Sequence, residues 1–296
     1  MLFGGAALGV AAAMPAAAAV SPQSVDNAST LRIASLDYGL ANSCIAMGAM
    51  PVGIANSAQW SRWVVEPALP PSVANLGSDL QINTEVLAAL KPDLILATPY
   101  VSALRSRLEE IAPVATYAIY TGQGTPLANA RSETRALGKA IGRARQADAL
   151  IVRAEERFAQ CASDLVGALQ PKVLLVSFMD ARHARVYGPE SMFQNVLDAI
   201  GIENAWATPT NAWGFETVGI EDLARAASDD TMIVAIEPIL DDVRPTLAHS
   251  PIWNRMPAVA EGRFRIMPSV LMFGMLPSAM RFARLLTAEL LAGAPA

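Results

Sequence analysis

The chain has 296 residues, 53% of them hydrophobic and 17% charged, a balance that excludes a disordered polypeptide and leaves room for two lobes or one large domain. Its formal net charge is −5 and it carries no Lys/Arg run, so a nucleic-acid partner is not expected. With 2 Cys and 2 His, a disulfide-dense scaffold and a zinc ribbon are excluded and a His-rich metal site is not expected.

Residues 2–20 are small or apolar, and the first charge is Asp26. The run is dominated by Ala and Gly and ends in Ala16-Ala17-Ala18-Ala19, which reads as a secretory signal over 1–19; a retained anchor is the alternative. No Lys or Arg precedes Arg32, so the basic start of a signal is expected upstream of this Met1. Export to the periplasm follows from this reading. Cys44 and Cys161 sit in apolar helical surroundings and are expected as buried free thiols.

In chain order, Leu31–Leu36 reads as a strand, Tyr38–Met47 as a helix and Pro51–Ala55 as a strand. Asn83 is a cap for a helix that places Val86, Leu87 and Leu90 on one face, and Lys91-Pro92-Asp93 stops it. Leu94–Ala97 is a buried strand, Ser102–Ile111 a helix and Val114–Tyr117 a strand. This alternation predicts a parallel α/β sheet over 31–140. From Arg131 to Leu169 there is no strand signal and no Pro. Ile151, Ala154, Phe158, Cys161 and Leu165 recur at spacings of three and four, so one long helix, assigned to 141–169, is expected as a strut. Pro171 ends it. Strands at Lys172–Phe178, Thr231–Ile236 and Arg263–Met267 and helices at Ser191–Ile200 and Pro277–Leu291 make a second α/β lobe over 172–294. The fold class is α/β, with two lobes joined by one backbone helix and a ligand cleft between them.

No G-x-S-x-G, phosphate loop or G-x-G-x-x-G after a strand is present, and His183 and His249 stand far apart. Binding without catalysis is the first expectation. Aromatics fall in the polar loops: Trp60 and Trp63, Tyr100, Trp213 beside Asn211, and Phe273. A single loop Trp is more often an anchor for a small satellite core, but several on both halves suit a shared apolar cleft.

The stretches Trp63-Val64-Val65-Glu66-Pro67-Ala68-Leu69-Pro70, Arg182-His183-Ala184-Arg185-Val186-Tyr187-Gly188-Pro189, Ser191-Met192-Phe193-Gln194, Asn211-Ala212-Trp213-Gly214 and Pro277-Ser278-Ala279-Met280 resemble the periplasmic ferric-hydroxamate siderophore-binding proteins of ABC importers, in the iron/cobalamin class. The resemblance covers about Leu31 to Leu291. It implies a monomeric carrier with no intrinsic cofactor and no direct metal ligand. Its cargo is a ferric siderophore held by Trp63, Tyr100 and Trp213, with Asn211, Phe273 and Trp60 as further candidates. It also implies docking to an inner-membrane permease through Glu85 and Glu221. Where the family has an arginine, this chain has Asp79, and Leu271 and Phe273 replace a Trp and a Tyr; two alternatives follow, a different siderophore or Arg105 or Arg107 as the substitute cation. A cobalamin or haem carrier of the same fold stays open, with Tyr100 as a haem ligand, as does an exported siderophore hydrolase, which would need a base-activated nucleophile.

Overall fold

The computed structural model describes residues 31–78, 81–168 and 170–292; the expected signal at 1–19 and Asp79 lie outside them. The first lobe runs β1 (Ile33–Ser35), α1 (Tyr38–Ala46), β2 (Gly53–Ile54), α2 (Trp60–Trp63), β3 (Ala74–Asn75), α3 (Thr84–Ala89), β4 (Leu94–Ala97), α4 (Arg105–Glu109) and β5 (Val114–Thr116). The strands pair in the order β3-β2-β1-β4-β5, all parallel. Helices cover both faces, so β1 is buried at every residue and β4 at all but Leu94, rather than at alternate positions. The Asp37 carboxylate caps α1 by accepting from Leu40 N, and the Asn83 side chain caps α3 by accepting from Val86 N. The helix expected at Ser102–Ile111 is shorter: a 3-10 segment, Pro99–Leu104, precedes α4.

Two helices follow, α5 (Pro126–Ala140) and α6 (Ala144–Asp164), where the sequence suggests one. The break is at Gly142, whose φ of 69° is left-handed and favours glycine. The chain turns back there and α6 packs along α5. The strut is therefore α6 alone, 21 residues and about 31 Å long at 1.5 Å per residue. Its buried stripe is the expected one, Ile151, Ala154, Phe158 and Cys161, and both cysteines are buried free thiols.

The second lobe runs β6 (Lys172–Phe178), β7 (His183–Tyr187), α7 (Met192–Ile200), β8 (Phe215–Gly219), α8 (Ile220–Ala226), β9 (Thr231–Ile236), α9 (Val243–Ala248), α10 (Pro251–Asn254), α11 (Pro257–Ala260), β10 (Phe264–Met267) and α12 (Leu276–Ala292). Its sheet, β10-β9-β6-β7-β8, is mixed, because β7 runs antiparallel to both β6 and β8. The parallel sheet expected over 31–140 is found in the first lobe, and the antiparallel β7 of the second lobe had no counterpart in the sequence reading. In β7 only Ala184, Val186 and Tyr187 are buried, a half-covered pattern with no apolar run to mark it.

Each lobe has an outer core: Leu76, Leu87, Ile95 and Leu108 in the first, Leu174, Val176, Ile233 and Trp253 in the second. A third cluster belongs to both. It runs from Ile33, Leu40 and Cys44 through Leu150 and Phe158 of α6 to Val173, Leu175, Phe193 and Phe282. The two sheets are thus joined by shared close packing as well as by the strut. Among the described residues, no helix is long and apolar enough to cross a membrane.

Candidate functional site

An aromatic cluster stands where the β5–α5 connection, the β10–α12 loop and the loop before β8 converge. The Tyr120 ring lies 5.9 Å from Trp213 and 5.5 Å from Phe273, Trp213 meets Phe273 edge-on at 5.8 Å, and Phe215 meets Phe273 at 6.4 Å. These edge-to-face and tilted contacts match ring quadrupoles and fix the rings relative to one another. The Tyr120 hydroxyl accepts from Met192 N at 3.4 Å and donates to the Met272 carbonyl at 3.2 Å. Burial pushes its phenol well above the usual tyrosine range, so it stays protonated and keeps that donor.

The loop carrying Trp213 is fastened at several points. The Asn211 side-chain oxygen accepts from Trp213 N at 2.9 Å and from Phe215 N at 3.4 Å. Glu190 Oε2 accepts from the amide and the hydroxyl of Thr210 at 2.9 and 2.6 Å. Partial burial works against the charged Glu190 carboxylate, yet those bonds win and hold its pKa below the ordinary value. A Cβ at Gly214 would stand 2.3 Å from Ser191 Cα, so the loop lies on the start of α7 with room for no other residue. Trp213 nevertheless stays 45% exposed. A large apolar ring held rigid and left in solvent is what a binding wall requires.

Trp63 is 38% exposed and Tyr100 61%, and both belong to the first lobe. The Arg62 guanidinium sits 5.5 Å over the Trp63 ring. The backbone at Trp63 is tied to the other half: Ser269 Oγ donates to its carbonyl at 3.5 Å, and Ser269 O in turn accepts from Arg281 Nε. Arg281 and Arg284 of α12 both reach Glu66 Oε1 at 2.6 Å. Among the described residues, no ring-to-ring contact joins Trp63 or Tyr100 to the Trp213–Phe273 cluster.

Trp60 does not belong to this set. It is 2% exposed, packs edge-on against Tyr38 at 5.7 Å and donates Nε1 to the Pro67 carbonyl, so it anchors the Trp63 loop from below. Nor do the substitute arginines stand free. Arg105 is committed to Glu109, to Thr116 Oγ1 and to the Val114 carbonyl, and Arg107 donates to Thr84 Oγ1. Glu85 and Glu221 are exposed in the first turns of α3 and α8, one in each lobe.

Tyr120, Phe215 and Arg185 escaped the sequence reading. Tyr120 lies just past a strand end, as Tyr100 does, and that signal was available. Phe215 and Arg185 depend on β7 and β8, whose pairing has no local signature. Among the described residues, no three His, Cys, Asp or Glu side chains gather in a way that could hold a metal ion. Two cavities, one by Thr84 and Arg107 and one by Glu237 and Arg244, share no residue with the aromatic cluster.

The family model described as "Periplasmic binding protein" matches residues 33–271. The chain is 32% identical over 263 residues to the iron(3+)-hydroxamate-binding protein FhuD of Escherichia coli K12, covering 86% of this chain and 85% of that one. It is 29% identical over 197 residues to the Fe(3+) dicitrate-binding periplasmic protein FecB of the same organism, covering 65% and 62%. Among solved structures it is similar to the siderophore-binding protein FhuD of Vibrio cholerae, crystallised with Fe3+-Desferal bound. That match has a TM-score of 0.84 at 28% identity and covers 90% of this chain and 100% of that one. The match to the family model spans both sheets and the helix between them, and the chain belongs to the periplasmic binding protein family.

Proposed function

We propose that this chain is the substrate-binding component of an ABC importer, which captures a ferric siderophore of hydroxamate type in the periplasm and delivers it to an inner-membrane permease. The observation that carries the reading is the interlocked cluster of Trp213, Phe273 and Tyr120, which leaves the Trp213 ring in solvent, in a chain that matches the Vibrio cholerae FhuD fold over that chain's whole length. The relationship to the Escherichia coli iron(3+)-hydroxamate-binding protein supports the same cargo.

The chemistry is binding alone. A hexadentate chelate already fills the coordination sphere of iron, so the protein supplies no metal ligand. It supplies apolar wall, worth about 25 cal/mol per Å2 buried, and a few polar donors. Trp213 and Phe273 form the wall on one side, Trp63 and Tyr100 on the other, and Asn211 acts by shaping the Trp213 loop. The core common to both lobes opposes wide hinge closure, because close-packed interiors shift in small steps. Recognition of the loaded carrier then rests on fixed surface groups, for which Glu85 and Glu221 are the proposed contacts, one per lobe. The carrier acts as a monomer after its signal is removed.

Titration of the purified protein with ferrichrome, ferric desferrioxamine B, cobalamin and haem, followed by tryptophan fluorescence, tests this reading. Saturable quenching by the ferric hydroxamates with chemically unaltered ligand recovered is expected. Response to haem or cobalamin alone, or a cleaved chelate, would contradict it.

A further inference from the structure

Arg185 lies on β7 with Ala184 and Val186 as neighbours; those two point into the outer core of the second lobe, so Arg185 points to the opposite face. There it stands directly across from Ser177 on one side and Thr217 on the other. Tyr187 and Phe215, paired two residues further on, share that face. The guanidinium carbon is 4.5 Å from the Phe215 ring centroid, and Phe215 packs on Phe273, which packs on Trp213. The cation therefore extends the aromatic wall.

Among the described residues, Arg185 has no ion pair and its Nε is sealed from solvent without a hydrogen-bond partner. Nearby acids are occupied or face away. Asp180 is paired with His183, Glu190 is spent on Thr210, and Glu216 pairs in register with Val186, on the other face. Sealing a guanidinium N–H from water without an acceptor is costly, and a carboxylate can repay that cost through two parallel charge-assisted bonds. Ferric iron with three hydroxamates is neutral at its centre and needs no such cation. A chelate with pendant or iron-bound carboxylates is anionic and does.

We infer that Arg185 is a cargo-contacting residue that makes this carrier select carboxylate-bearing, anionic ferric siderophores; this deepens the carrier reading and rests on it. The test compares the full chain with Arg185→Met and Arg185→Lys, using ferric aerobactin (a citrate-based dihydroxamate) and neutral ferrichrome as probes, with Kd from tryptophan quenching and Tm from thermal melts. Arg185→Met should weaken ferric aerobactin binding at least ten times more than it weakens ferrichrome binding, with Arg185→Lys between the parent and Arg185→Met and Tm held. An equal loss for both chelates, no loss for ferric aerobactin, or a parent protein that binds ferrichrome alone would overturn this inference and leave the carrier reading standing. A parent protein that binds neither chelate would overturn both.

Discussion

The Tyr120 hydroxyl donates to the carbonyl of Met272, 152 residues further along the chain. The bond ties the end of the first lobe to the loop that carries Phe273, while Met192 N at the start of α7 donates to the same oxygen. Tyr120→Phe removes both bonds and keeps the ring stack. It is expected to cost about 1–2 kcal/mol, the range for losing a net hydrogen bond and leaving a partly buried amide unpaired. Urea unfolding at constant m-value checks this.

Glu66 holds Arg281, which is 9% exposed, and Arg284. Partial burial raises the Glu66 pKa, but the two guanidiniums outweigh it and hold the carboxyl below its ordinary range. A lowered folded-state value means the contribution is full above the unfolded pKa and is lost as pH falls through the folded one. Glu66→Gln should therefore destabilise at neutral pH, by about 1–2 kcal/mol because Glu66 itself is half exposed, and the gap to the parent should close in acid. Thermal melts across pH read this directly.

How far the sequence carries can be judged element by element. The strands at Leu94–Ala97, Lys172–Phe178 and Thr231–Ile236 stand where their apolar runs place them, since sheets covered on both faces leave a strong local signal. The caps at Asn83 and Ser191 are equally local. β7 and β8 were not legible, because half-covered antiparallel strands take their identity from neighbours distant in sequence. The α5–α6 break has one local mark, Gly142, and helical periodicity on either side masked it. At the site, Trp213 is an exposed loop aromatic as expected, whereas the loop expected around Trp60 and Trp63 is the short helix α2, with Trp63 exposed and Trp60 facing inward. Composition cannot separate two tryptophans on one short helix; only the packing of Tyr38 and Val64 does.

Asp37 caps α1 at a cost. Burial pushes its carboxyl up to about 6, against the lowering pull of the Leu40 and Gly39 amides. With the folded value above the unfolded 3.8, the penalty grows as pH rises between the two and is complete above about 6. Asp37→Asn keeps a good cap without the buried charge. It should stabilise the protein by about 1–3 kcal/mol at neutral pH, with the advantage fading in acid. Denaturant midpoints at neutral and acidic pH check the sign.

Glu85 and Glu221 sit where the helix dipole favours an acid, so reversing each should cost no more than about 1 kcal/mol of stability. Reversal of both to Lys is expected to abolish uptake of iron-55 chelate in cells carrying the cognate permease, while the quenching Kd stays within about twofold of the parent, since a surface charge away from the cargo alters docking rather than ligand grip. Uptake at the parent rate would remove both residues from the docking surface.

The most direct measurement is an anomalous difference map at the iron edge from crystals of the protein grown with ferrichrome. The account predicts one iron peak between the lobes, coordinated by chelate oxygens alone, with the chelate resting on Trp213 and Phe273. Iron bound to a protein carboxylate, imidazole or phenolate, or a chelate seated away from those rings, would contradict it.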